Sequence, residues 1–182
     1  MKHATLADLK EIYRQFQKRK DVFPHVRRDK LKKMIEKSLV IWQDGGVITY
    51  QQYKKNTRVG HLDIPAGSIM LHQILNSQQF SGKGSEVFDQ FVSEVVGPSG
   101  GDLYLSVRKE NTVACAFYEG DGMHVVGRVA WSGGSLPGLV YGLAVGYVTY
   151  LRNQSDSENS RNSAVIRRHV RMARNASKRR IR

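Results

Sequence analysis

The sequence is short of cysteine, of long apolar runs and of acidic residues, and each shortage narrows what the chain can be. Cys115 is the one cysteine in 182 residues, which excludes an intrachain disulfide framework and a cysteine-based zinc ribbon. A reducing cytoplasm is the simplest compartment for such a chain. His3, His25, His61, His124 and His169 fall at no metal-ligand spacing, so no metal is expected. Met1-Lys2-His3-Ala4-Thr5 leads into a helical pattern without an apolar core segment, so no secretory signal is expected. The most apolar late stretch, Leu139 to Leu151, covers 13 residues and is interrupted by Gly142 and Gly146. It is too short for a typical transmembrane helix, and no membrane partner is expected. Acidic residues number 16 against 29 Lys and Arg, a net charge of +13. That excess is uneven: residues 152–182 hold ten Lys or Arg against Asp156 and Glu158, a net of +8, and the first 151 residues hold the remaining +5. Gln154 to Ser160 contains no apolar residue and reads as a linker. The expected organisation is one domain over 1–151 and a basic extension over 152–182.

What is present is strand and helix intermixed. Thr5-x-x-Asp8 has the spacing of a capping box and predicts a helix with Leu6, Leu9, Ile12, Tyr13 and Phe16 on one face. A second short helix is expected from Asp29 to Lys37, with Leu31, Met34 and Ile35 inward. Leu39–Trp42 and Val47–Tyr50 flank Asp44-Gly45-Gly46, the signature of a hairpin. Lys54 to Gly67 is polar and turn-rich and reads as a long connection. Ser68 to Leu75 reads as a strand. From Ser85 to Val96, the residues Val87, Phe88, Phe91, Val92, Val95 and Val96 fall on one helical face. Leu103–Val107 and Met123–Ala130 read as strands, with a short helix from Asn111 to Glu119 between them. Strand–helix–strand over 68–107 calls for a parallel pair joined by a crossover, whereas the early hairpin is antiparallel. The expected fold is α/β (α+β), a mixed sheet with helices on both faces.

Chemistry enters where the strand at 68–75 meets the helix at 85–96. Gln79-Phe80-Ser81-Gly82-Lys83-Gly84 lies at that joint. Two glycines let the backbone curl tightly, the helix N-terminus adds unsatisfied N–H donors, and Lys83 adds a charge, so the loop suits an anion such as a pyrophosphate. It is not a P-loop, because Ser77 and Gly84 stand where that motif needs Gly and Ser or Thr.

Two motifs together resemble the GNAT superfamily of N-acetyltransferases. Gln79-x-x-Gly82-x-Gly84 matches that superfamily's [RQ]-x-x-G-x-[GA] loop. Asn111, Ala114, Phe117, Tyr118, Glu119, Gly122 and Met123 match the helix pattern that follows its fifth strand. The resemblance covers 1–145 in element order and 68–130 in detail. It implies a GNAT-like, mostly antiparallel sheet with a splayed parallel strand pair, and transfer of an acetyl group from acetyl-CoA to an amine. It also implies that Gln79, Phe80, Ser81, Gly82, Lys83 and Gly84 hold the coenzyme A pyrophosphate. The pantetheine arm would then run along Ile74, Leu75 and Asn76, with Asn111 helping to hold it. Tyr118 matches the tyrosine assigned as the acid that protonates the departing thiolate. The superfamily's glutamate base falls on Ser68, which cannot take a proton at neutral pH.

An amine with a pKa near 10.4 must lose a proton before it attacks a thioester. On a regular strand 68, 70, 72 and 74 share a face, which places His72 on the side of the vacant base position. Its imidazole suits proton removal at neutral pH; a core histidine bonded to a neighbour is the alternative. The acceptor would enter between 19–37 and the segment 131–138, near Trp131, Trp42 and Tyr50 if these are not core residues. Arg27, Arg28, Lys30, Lys32 and Lys33 favour an acidic or phosphorylated acceptor, unless they form only a solvated face. The arginine-rich residues 161–182 suit nucleic-acid phosphates, unless they form only a disordered, solvated extension. A catalytically idle scaffold of this fold with a nucleic-acid-binding tail is therefore the alternative function.

Overall fold

Thr5 opens the first helical segment, as its spacing to Asp8 predicts. The Asp8 carboxylate accepts hydrogen bonds from the Thr5 N–H and hydroxyl, both at 2.8 Å, and these contacts hold its pKa below the usual carboxylate range. One 3-10 turn (Leu6–Asp8) leads into α1 (Leu9–Lys18). Leu9, Ile12 and Phe16 are buried, but Leu6 is 50% exposed. It sits in the turn, where three residues per turn replace the 3.6 on which its inward placement was based. α2 (Arg28–Glu36) buries Leu31 and Ile35. The computed structural model describes residues 1–43, 45–76 and 83–144. The expected boundary near Arg152, the linker and the basic extension lie outside them.

β1 (Val40–Gln43) and β2 (Gly46–Gln52) form the expected antiparallel hairpin; Asp44 lies outside the described residues. The segment read as a long connection instead contains a second hairpin, β3 (Thr57–Val59) with β4 (Leu62–Ile64). Three-residue strands carry too little alternation to read from sequence. What fixes this hairpin is tertiary: at its turn Gly60 has φ +62°, and a Cβ there would lie 2.5 Å from the Arg128 carbonyl oxygen.

β5 (Ile69–Asn76) is followed by α3 (Lys83–Phe91), which runs through a π-helical stretch (Val92–Val96) into a single turn, α4 (Gly97–Ser99). β6 (Leu103–Arg108), α5 (Thr112–Gly120), β7 (His124–Trp131) and β8 (Leu136–Leu143) complete the described chain. Six strands form one sheet in the order β1-β2-β5-β6-β8-β7. Every neighbouring pair is antiparallel except β5–β6, which is parallel. The fold class is therefore the expected one.

Two apolar layers flank the sheet. Ile12, Phe16, Leu31, Ile35, Val40, Val47 and Leu75 pack between α1–α2 and one face. Ile48, Leu71, Phe88, Phe91, Leu105, Tyr118 and Tyr141 pack between α3, α5 and the other. Burying side chains of this size contributes about 1.5–3 kcal/mol each. Removing the fully buried Phe16 ring would cost about 3–5 kcal/mol.

Candidate active site

The parallel pair is brief. β5 and β6 match Ile69 to Leu103, Met70 to Tyr104 and Leu71 to Leu105, and their register ends there. Beyond that point β5 continues against β2, and β6 continues against β8 from Ser106 to Arg108. The sheet opens into a wedge whose two inner edges are extended backbone, the kind of edge to which another extended chain adds by hydrogen bonding.

The cause of the divergence lies in β5. Thr49 of β2 pairs with Gln73 and Tyr50 pairs with Leu71, so His72 is an extra residue in a β-bulge. The bulge overturns the expectation that 68, 70, 72 and 74 share a face. Ile69 and Leu71 belong to the layer under α3 and α5, and so does Ile74, while Leu75 belongs to the α1–α2 layer. Residues of odd number before the bulge and of even number after it face the same way. Ser68 precedes the strand and is fully buried. Its carbonyl accepts from the Tyr53 N–H at 2.9 Å. His72 keeps solvent access, yet the protein packed around it lowers its pKa below the ordinary histidine value by desolvation. Thr49 donates a hydrogen bond to Gln73 beside it.

α3 begins at Lys83, at the end of the glycine-containing loop. A Cβ on Gly84 would lie 3.3 Å from Phe117 Cε2, so glycine lets the first turn of α3 come close against α5. The Ser85 hydroxyl lies 3.3 Å from Asp121 Oδ2 and donates to it, tying the two helices together. Gln79, Phe80, Ser81 and Gly82 lie outside the described residues.

Asn111 caps α5, its side-chain oxygen accepting from the Ala114 N–H at 3.2 Å. Tyr118, on the same helix, is 6% exposed. Phe117 and Phe88 pack against its ring, with centroids 5.2 Å and 6.3 Å away. Burial, reinforced by Cys115, pushes its pKa above the usual tyrosine range, so the phenol stays protonated at neutral pH. Sequence reasoning passed over Tyr141. It lies on β8, its ring 6.0 Å from that of Tyr118, and its hydroxyl donates to Glu119 Oε1 at 2.9 Å. Burial raises its pKa first, with hydrogen bonding to Cys115 and Glu119 adding to the effect. Cys115 and Glu119 are one helical turn apart, so Tyr141 pins α5 to the sheet next to Tyr118. The available signal was a polar-tipped aromatic on an apolar strand.

The aromatics considered for an acceptor pocket separate. Tyr50 is a core residue, edge-on to Phe91 with ring centroids 5.3 Å apart, and its hydroxyl donates to the Ser38 carbonyl at 3.2 Å. Trp42 packs on the α1–α2 core. Trp131 remains 36% exposed, and its ring lies across Gly138, where a Cβ would come within 2.3 Å of Cζ3. A cleft of about 690 Å³ opens between α1 and α2, lined by Leu6, Leu9, Tyr13, Arg27, Arg28, Asp29 and Lys32. Among the described residues no cluster of three or more His, Cys, Asp or Glu is placed to hold a metal ion, and no helix is long and apolar enough to cross a membrane.

A wedge between two parallel strands, a bulge in β5 and a helix that begins where the loop after β5 ends define a particular type of α/β fold, and solved structures identify which. No protein-family model matches the chain, and no curated protein matches it in sequence. In three dimensions it has the fold of the GNAT acetyltransferases. The ribosomal-protein-S18-alanine N-acetyltransferase of Escherichia coli aligns with a TM-score of 0.57 at 17% identity, over 79% of this chain and 92% of that one. Arabidopsis thaliana NAA60 in complex with acetyl-CoA aligns at 0.58 and 15%, over 77% and 94%. A GNAT-family acetyltransferase from Bacillus cereus aligns at 0.54 and 15%, over 79% and 94%.

Proposed function

We propose that the chain is an N-acetyltransferase that moves the acetyl group of acetyl-CoA to an amine by direct attack on the thioester. One observation carries this reading: the strand pair at the base of the β5–β6 wedge, Val87, Phe88 and Phe91 of α3 and the buried Tyr118 pack in one apolar layer of a GNAT fold. In this reading Gln79–Gly84 and the N-terminus of α3 hold the pyrophosphate. The pantetheine amides pair along Ile74, Leu75 and Asn76, and Asn111 fixes the helix that borders the arm. The neutral amine forms a C–N bond to the acetyl carbon, the C–S bond breaks, and the thiolate takes the Tyr118 proton. His72 accepts the amine proton, directly or through water. An imidazole held below its ordinary pKa is neutral, and so able to accept a proton, at pH 7.

The acceptor in this reading is an amine on a small molecule or a protein. The E. coli neighbour is named for the alanine of a ribosomal protein, and NAA60 has also been crystallised with a bisubstrate analogue. In this reading catalysis belongs to residues 1–151 of a cytoplasmic protein, and residues 161–182 of the extension 152–182 are a candidate contact for nucleic acid. Ser68, fully buried where the superfamily has a carboxylate base, favours a second reading, a catalytically idle scaffold of the same fold. Thermal denaturation with acetyl-CoA separates them. The coenzyme should raise Tm by linkage, and replacing Gly82 and Gly84 with bulky residues should abolish the rise. Mass spectrometry of amine pools incubated with labelled acetyl-CoA then identifies the acceptor; a bound coenzyme with no labelled product would support the scaffold.

A further inference from the structure

The overall charge of the chain conceals a segregation between the two helical layers. Residues 1–43, which supply α1 and α2, carry twelve Lys or Arg against five acids. The helices on the opposite face of the sheet, within 83–99 and 112–122, carry Lys83 against Glu86, Asp89, Glu94, Glu119 and Asp121. The basic layer is also under-neutralised. Four of its five acids pair locally, Glu11 with Arg14, Asp21 with Arg19, Asp29 with Arg27 and Glu36 with Lys32, and Asp8 is held by Thr5. Lys10, Lys20, Arg28, Lys30, Lys33 and Lys37 are exposed and form no salt bridge with a described residue. The cleft between the helices brings Arg28, the Arg27–Asp29 pair and Lys32, itself paired with Glu36, around the half-buried ring of Tyr13 and the side chains of Leu6 and Leu9.

We propose that this α1–α2 face docks a single-stranded nucleic acid, with its phosphates on the unpaired cations and a base against Tyr13 in the cleft. Three features select this occupant over an acidic polypeptide. The cations are spread over both helices, which suits a ligand that repeats one charge at regular intervals. The Arg28 guanidinium at the cleft, which forms no salt bridge with a described residue, suits bidentate binding of phosphate oxygens. An aromatic ring among cations is the platform on which bases stack, and a run of carboxylates has no planar group to place there. The acidic layer on the far face orients the encounter by repelling the same ligand. The inference stands whether or not the chain transfers acetyl groups.

The test uses the full chain and fluorescence anisotropy with a labelled 20-nucleotide single strand, over a series of salt concentrations. The variant Arg28→Glu/Lys30→Glu/Lys33→Glu alters the face. Arg174→Glu/Arg179→Glu/Arg182→Glu applies the same charge change to the basic extension. Losing three phosphate contacts should lower the slope of log affinity against log salt by about 2, and so weaken binding about 100-fold near 0.1 M salt. Tyr13→Ala should weaken binding about tenfold with the slope unchanged. The proposal is overturned if the face variant binds like wild type while the extension variant does not. It is equally overturned if Tyr13→Ala has no effect, or if a polyglutamate peptide displaces the strand stoichiometrically.

Discussion

Gly101 lies where the loop before β6 crosses the start of β5. A Cβ at this position would sit 2.5 Å from the carbonyl carbon and oxygen of Gly67 and 2.6 Å from the Ser68 nitrogen. All three atoms are backbone, so no side chain can swing aside. Ordinary contact requires about 1 Å more, and gaining it means pushing apart the two strands whose parallel pairing begins at Ile69 and Leu103. The bond from the Ile69 N–H to the Asp102 carbonyl, 2.9 Å long, spans the same point. Overpacking of this kind costs about 1–3 kcal/mol, and the lower entropy of the unfolded alanine chain offsets about 0.4–1 kcal/mol of it. Gly101→Ala should therefore destabilise by about 1.3 kcal/mol, a fall in Tm of about 3–5 °C for a domain of this size. Gly120→Ala is the control, since a Cβ there meets nothing within 4 Å, and it should leave Tm unchanged or raise it. Differential scanning calorimetry of the two variants makes the comparison. If Gly101→Ala melts with or above wild type, the close backbone approach at the base of the wedge is wrong. Because the strain falls at the start of the short parallel pair from which the wedge opens, the same variant should also bind acetyl-CoA more weakly than Gly120→Ala.

Tyr118→Phe should lower kcat more than it raises KM in a steady-state thiol-release assay, because the proton is needed only as the C–S bond breaks. In wild type, the raised Tyr118 pKa should keep the alkaline limb of kcat above the ordinary tyrosine range. His72→Ala should lower kcat/KM and remove an acid limb centred below the ordinary histidine pKa; an unchanged profile would make His72 structural. The same depressed pKa means the unfolded chain binds the proton more readily than the folded one. The His72 contribution to stability is thus complete above the unfolded value and is lost as pH falls towards the folded one, a loss His72→Gln should remove from urea midpoints. Tyr141→Phe forfeits the bond to Glu119; a loss of about 0.5–1.5 kcal/mol is expected from chemical denaturation, together with a fall in kcat if α5 is held in place for Tyr118.

The elements that local pattern governs were legible in the sequence. The Thr5–Asp8 box, the helical face from Phe88 to Val96 and the Asp44-Gly45-Gly46 turn signal each follow from residues within a turn or two of one another. What escaped depends on contacts between distant segments. The bulge at His72 exists only in the register of β5 against β2, so a period-two reading put Ile74 on the wrong side of the sheet. The β3–β4 hairpin is fixed by Gly60 pressing on Arg128, 68 positions away. Tyr118 stands out in the sequence because a motif marks it, and Tyr141, which packs beside it, does not because no motif marks it. Tyr50 looked available for substrate because an aromatic on a hairpin strand has no visible partner until Phe91 is placed beside it. The charge segregation was half visible: the basic run at 27–33 stands out, but the acidic layer opposite emerges only when α3 and α5 are put on one face.

The short pairing of β5 and β6 gives a single strand two environments. From Ile69 to Leu71 it has a neighbour on each side, and past the bulge its strand pairing among the described residues is with β2 alone. Amide hydrogen exchange along β5 should therefore change abruptly within eight residues, slow before His72 and faster after it at positions that point into the wedge. An extended ligand entering the wedge would slow those fast positions and leave the first three as they were. Occupancy could then be followed without knowing the acceptor and without any turnover.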